Sequence, residues 1–144
     1  GIVVASVGNV RKEVTYPAQL NDVIGVGSAM LSDSGNTNSD LRVSESSGGG
    51  KPGVTVIAPG KNILSCGINN DTKNKSGASM ATAYAAGIIA LGVCYQSTRQ
   101  NSNGGQNQKD LIKKIQQCSY SPPSSGDLLY YGYGIINPFD LVLN

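Results

Sequence analysis

Three short apolar runs constrain this chain more than anything else in it. Ile2-Val3-Val4-Ala5 follows Gly1 directly, Val23-Ile24-Gly25-Val26-Gly27 comes next, and Val54-Thr55-Val56-Ile57-Ala58 is stopped by Pro59-Gly60. A strand with one wet face alternates apolar and polar residues. A strand that is apolar almost throughout must be covered on both faces, which is the habit of parallel sheets. Parallel neighbours in turn need long crossover connections, usually helical. Residues 81–94 (small and apolar) and 108–118 supply helical candidates. The expected fold class is therefore α/β with a mostly parallel sheet. In such sheets chemistry gathers outside the carboxyl ends of the strands, and Gly8-Asn9 stands at one, after the strand over residues 1–7.

The remaining elements are read more coarsely. Residues 10–15 are polar and lead into Tyr16-Pro17-Ala18. Residues 32–52 are rich in Ser, Gly, Asn and Asp and read as surface loop with one short strand at Leu41-Arg42-Val43. Residues 63–66 form a short extended piece, 68–76 a polar loop, 96–106 a flexible connection and 130–137 a closing turn or strand. There is no internal repeat. A length of 144 residues suits one domain with its own core. Opening directly on a core strand, the chain reads as the C-terminal piece of a longer polypeptide.

Composition excludes several partners. Only 14% of residues are charged and the net charge is +2, with the basic residues scattered apart from Lys113-Lys114, which argues against nucleic acid and anionic membranes. The apolar segment 81–94 is shorter than the roughly 20 residues that span a bilayer, so it is expected as a buried helix. The three cysteines, Cys66, Cys94 and Cys118, have no metal-ligand spacing and no histidine to help them. They read as small buried hydrophobes, and their redox state stays open.

Ser79 is the residue with chemical interest. It lies where a polar, Gly-bearing loop (Asn74-Lys75-Ser76-Gly77-Ala78) meets the apolar stretch. One role for a serine there is to cap the helix. The other is nucleophilic, because a helix N-terminus offers free N–H groups and a positive dipole end to a developing oxyanion. Gly77-Ala78-Ser79-Met80-Ala81 lacks the second glycine of a G-x-S-x-G elbow. Gly48-Gly49-Gly50-Lys51 is followed by Pro52 and is no phosphate loop, which removes the support for a flavodoxin-like binding domain.

Six segments stand in a telling order: Gly8-Asn9, Tyr16-Pro17-Ala18, Val23-Ile24-Gly25-Val26-Gly27, Ala58-Pro59-Gly60, Ser76-Gly77-Ala78-Ser79-Met80-Ala81-Thr82 and Gly132-Tyr133-Gly134-Ile135-Ile136-Asn137. Together they resemble the C-terminal half of the catalytic domain of subtilisin-like serine proteases, over nearly the whole chain except residues 32–40. The resemblance implies the three-layer fold of that family, with residues 1–144 as the C-terminal portion of one domain. It implies Ser79 as nucleophile and the Asn9 side chain as oxyanion donor, completed by the Ser79 N–H. It implies further that Ala5, Ser6, Val7 and Gly8 wall the pocket for the side chain before the scissile bond. Thr15 falls near that pocket's base, and Arg11, Lys12 and Glu13 at its rim.

The chain also departs from the family's pattern. Ala78 replaces a threonine, and Ala83-Tyr84 replaces Pro-His. A cation site built by some members near Tyr16-Pro17 would use carbonyls around Ala18, Leu20 and Val23, but Thr55 stands where its carboxylate belongs. No cofactor is expected in this chain, calcium remaining possible in a complete enzyme. The general base and its orienting Asp belong to the N-terminal half, and none of Asp22, Asp33, Asp40, Asp71, Asp110, Asp127 or Asp140 matches a catalytic position. The implied partners are that N-terminal half, a peptide or protein substrate and a propeptide or inhibitor, with no nucleic acid and no membrane span. Secretion or cell-surface location is expected from the resemblance alone. The alternative is a non-enzymatic pseudo-subtilase used for binding or regulation. The triplets Asn70-Asp71-Thr72 and Asn74-Lys75-Ser76 read as chance sequons, since a glycan there would crowd a substrate.

Overall fold

The structure is a computed structural model that describes residues 1–11, 13–31, 41–44, 47–50, 53–100, 107–120 and 128–143. Lys12, Lys51, Asp33, Asp40, Asp127, the loop expected over 32–40 and the connection over 101–106 lie outside the described residues.

The three apolar runs do become the parallel core of a sheet. β1 (Val4–Ser6) pairs with β2 (Ile24–Leu31), Val4 beside Ile24 and Ser6 beside Val26. On the other edge of β2 runs β4 (Val56–Pro59), also parallel, with Val26 beside Val56 and Ala29 beside Pro59. β3 (Leu41–Val43) pairs antiparallel with the end of β2, on the same edge as β1. A second sheet is the antiparallel hairpin of β5 (Ile63–Cys66) and β6 (Thr72–Lys75). Its polar second strand falls where a loop was expected. The tip turns through Asn69 and Asn70 in left-handed conformation, φ 59° and 56°.

The strand period divides the core into two faces. Ile24 and Val26 of β2, with Val56 and Ala58 of β4, meet Ala81, Ala85, Ile88 and Ile89 of α1 (Ala78–Gln100). On the opposite face Ile57 and Ala29 pack with Tyr131 and Ile135. Gly25 belongs to that face because the chain passes so close: a Cβ there would sit 2.0 Å from the Gly53 carbonyl oxygen. Thr55, at the position where the resemblance lacks its carboxylate, is buried and its Oγ1 accepts from Gly25 N at 3.0 Å.

α1 differs from expectation in length. It runs 23 residues instead of the 14 or so of its apolar centre, and by length and composition it could cross a membrane. It packs against β1, β2, β4 and the last helix, which makes it the core helix of the fold. One side of it is open, however, with Leu91 64% and Tyr84 46% exposed.

α2 (Gln108–Cys118) forms where expected, capped by Asn107, whose side chain accepts from Asp110 N. Of the two alternatives for residues 130–137, the structure has the turn, with an isolated bridge at Ile135. α3 (Leu128–Tyr131) turns through Gly132, Ile135 bridges to Ile57 and Tyr120, and α4 (Pro138–Leu143) follows. The cysteines correct another expectation. All three are free thiols, Cys66 and Cys94 exposed and Cys118 half-buried. Burial pushes the Cys118 thiol up, Lys114 opposing and Asp140 adding to it.

Candidate active site

The site lies where the carboxyl end of β1 meets the start of α1. β1 delivers Val7 and Gly8 to a turn, and Gly8 takes φ 90°, a conformation that glycine adopts freely. Two ladders hold that turn: Val7 N donates to Val26 O at 3.1 Å, and Gly48 N donates to Gly8 O at 2.8 Å. Asn9 therefore leaves a fixed backbone, and its side chain reaches across to the helix.

The helix start is built by Gly77. Its φ of 143° lies outside the ordinary range of L side chains, and its carbonyl accepts from Met80 N and Ala81 N at 3.1 and 3.3 Å. Gly77 is therefore the N-cap, and Ser79 is the second residue of the helix. The capping role considered for Ser79 is thus filled by another residue. Gly77 N in turn donates to Gly60 O at 2.8 Å, so the Ala58-Pro59-Gly60 turn anchors the loop that carries the serine.

Helix geometry leaves the first N–H groups without internal partners. Met80 and Ala81 are satisfied by Gly77, and Ala78 N donates to Asn9 Oδ1 at 2.9 Å. Among the described residues, nothing accepts from the Ser79 N–H. The bond to Ala78 also settles how Asn9 is oriented. With its carbonyl oxygen turned to the helix, its Nδ2 is left as a donor with no acceptor among the described residues. A Cβ on Gly77 would sit 3.1 Å from Asn9 Oδ1 and 3.4 Å from Nδ2, so the missing side chain makes room for this contact.

The sequence pair Asn9 and Ser79 is thus brought together through the intervening Gly77-Ala78 peptide. It presents two neutral donors beside an exposed hydroxyl, the arrangement suited to an oxyanion formed on attack by Ser79 Oγ. The other residues singled out fall around it. Thr15 sits against Gly8, where a Cβ would meet Thr15 Cγ2 at 2.9 Å, and Thr15 N donates to Val7 O at 3.1 Å. Ser6 Oγ accepts from Gly8 N at 3.2 Å, while Ala5 and Val7 are buried and contribute backbone. Arg11 lies over the Tyr130 ring, 5.2 Å from its centroid.

Among the described residues no general base stands at Ser79. The sequence holds no histidine, and no described side chain hydrogen-bonds Ser79 Oγ. The described residues contain no cluster of His, Cys, Asp or Glu able to hold a metal ion. Sequence reasoning missed the hairpin beside the site. Its root is tied by Asn62 N donating to Ser76 Oγ at 3.0 Å. The extended run 63–66 followed by the turn-forming pair Asn69-Asn70 was the available signal.

Residues 1–134 match the sequence profile of the Subtilase family (Peptidase_S8). The chain is 32% identical over 142 residues to the Thermophilic serine proteinase of Bacillus sp. (strain AK1), covering 98% of this chain and 30% of that protein. It is 33% identical over 141 residues to Subtilisin DY of Bacillus licheniformis, covering 94% of this chain and 44% of that protein. Among solved structures, the Prenylagaramide maturation protease PagA superposes with a TM-score of 0.77 at 24% identity, over 98% of this chain and 49% of that one. The chain therefore spans less than half the length of these relatives.

Proposed function

The chain belongs to the Subtilase family, and from that premise we propose that it is the C-terminal portion of the catalytic domain of a serine endopeptidase. The observation that carries the reading is the Asn9 Oδ1 to Ala78 N bond of 2.9 Å. It fixes an amide donor next to the free Ser79 N–H and the exposed Ser79 hydroxyl.

In this reading Ser79 Oγ attacks the scissile carbonyl carbon, and a histidine from the N-terminal half, oriented by an aspartate of that half, takes the hydroxyl proton. The carbonyl oxygen becomes an oxyanion held by Asn9 Nδ2 and Ser79 N–H. Collapse of the tetrahedral intermediate expels the amine, which the histidine protonates, and leaves an acyl group on Ser79. Water then attacks the acyl-enzyme by the same route in reverse. The backbone of Ala5, Ser6, Val7 and Gly8, with Thr15 behind it, takes the substrate segment before the scissile bond. The serine alone cannot do this, because a hydroxyl without a base is a poor nucleophile.

Two surface features support a docked N-terminal half. β1 is the outermost strand beside β2, with no partner on its other edge among the described residues. Beside it Ile2, Val4, Ala86, Ile89, Ala90, Val93 and Cys94 line an apolar cavity of about 400 Å³ between β1 and α1. An unpaired edge and an apolar groove side by side are what a further strand and its packing residues would cover. The test is peptide hydrolysis by the complete protein. Turnover that disappears in Ser79→Ala supports the proposal, and turnover that survives it removes Ser79 from its role.

A further inference from the structure

The β5–β6 hairpin carries a charge pattern that the catalytic reading does not use. Resting on that reading, we propose that Lys61, Lys73 and Lys75 form a cationic rail that selects substrates with acidic residues on the leaving-group side of the scissile bond.

The register places the charges. Ile63 stands beside Lys75 and Ser65 beside Lys73, so both lysines share one face of the hairpin, separated by a single residue. Every residue of β6 is exposed, as are Leu64, Ser65 and Cys66 of β5. The segment from Lys61 to Lys75 holds three lysines and one acid, Asp71. That acid sits at the far tip, where its Oδ1 accepts from Thr72 N at 2.8 Å. Among the described residues none of the three lysines has an ion pair. Like charges on one strand face repel, so the cluster has no stabilising role of its own.

The hairpin is also fixed to the chemistry. Its two roots are clasped by Asn62 N to Ser76 Oγ at 3.0 Å and by Gly77 N to Gly60 O at 2.8 Å. Lys61 and Lys75 therefore flank the peptide that becomes the N-terminus of α1, whose dipole adds positive potential of the same sign. The oxyanion side of Ser79 is taken by Asn9, and the acyl half of the substrate lies along residues 5–8. Among the described residues, the hairpin is the further element rooted in the loop that carries Ser79, and in this proposal the departing half lies along it. A carboxylate there gains an exposed ion pair, about two- to fivefold per acidic residue in binding or kcat/KM, and the gain falls as salt screens it.

The test uses the complete protease and a peptide series with Asp, Glu, Asn or Gln at each of the first positions after the scissile bond. One arm measures kcat/KM. The other measures anisotropy of the same labelled peptides bound to the Ser79→Ala protein, which needs no catalysis. The expected result is a preference for Asp and Glu in both arms. It should shrink toward unity in Lys73→Gln/Lys75→Gln and in about 1 M salt, where the Debye length is about 3 Å. Equal handling of acidic and amide peptides, or a preference unchanged by the double substitution, would overturn the rail. If no peptide is cleaved, the protease reading fails separately, and the binding arm still decides this proposal.

Discussion

Asn9 performs two tasks that a pair of substitutions separates. Its Oδ1 accepts from Ala78 N, which is structural, and in the proposed function its Nδ2 meets the oxyanion. Asn9→Leu removes both. The part-buried Ala78 N–H is then left unpaired, at about 1–3 kcal/mol of stability. Loss of one oxyanion donor lowers kcat about 10²–10³-fold, a magnitude established on a subtilisin and so carried over from a relative of this chain. Asn9→Asp keeps the acceptor and places a negative charge at a helix N-terminus, which favours the fold by about 0.3–1 kcal/mol. Yet it swaps the donor for a carboxylate facing a developing anion. At about 4 Å and an effective dielectric near 20, that repulsion adds about 4 kcal/mol to the lost donor. The Asp variant should therefore melt no lower than the parent and still be the slower of the two. Thermal unfolding and steady-state kinetics on the complete protease check the pair, with KM expected to move little. An Asp variant that turns over like the parent would refute the assignment of Nδ2 to the oxyanion.

Other consequences follow from single contacts. Gly25→Ala should destabilise the fold by about 1–3 kcal/mol or prevent it, since the new Cβ lies 2.0 Å from the Gly53 carbonyl oxygen. A Tm equal to the parent's would contradict that packing. Ser28→Ala should be neutral or stabilising in chemical denaturation, because its buried hydroxyl has no partner among the described residues. A loss above about 1 kcal/mol would mean that the hydroxyl is bonded after all. Maleimide should label Cys66 and Cys94 quickly in the folded 144-residue chain without its N-terminal half. Cys118 should lag at neutral pH and catch up as the medium becomes alkaline, because burial raises its pKa and delays the thiolate. Equal rates at pH 7 would count against this.

The legible part of the fold is the part with buried apolar runs. β1, β2 and β4 could be read because both of their faces are covered, so the runs are continuous. β6 could not, because Thr72, Lys73, Asn74 and Lys75 are all exposed and leave no hydrophobic period. α4 was missed although its start was written in the sequence. Asn137 caps Phe139 N and Asp140 N at 3.1 and 3.3 Å, Pro138 takes the first helical position, and Asp140 accepts back from Asn137 Nδ2 at 2.6 Å. α1 was cut short at 94 because polar residues such as Gln96, Ser97 and Thr98 ended the apolar pattern but not the helix. At the site, Ser79 was marked by its place before an apolar helix, whereas Asn9 became a candidate from its place at a strand end and from family resemblance. Nothing in spacing reveals that two residues 70 apart meet through the Ala78 peptide.

The proposed function requires Ser79 as a nucleophile whose activating base lies outside these 144 residues. Fluorophosphonate labelling with the adduct mapped by mass spectrometry tests both halves of that statement at once. The chain joined to its N-terminal half should carry the adduct on Ser79 and lose it in Ser79→Ala, while the folded 144-residue chain alone should remain unlabelled. An adduct on another residue, or rapid labelling of Ser79 in the chain alone, would contradict it.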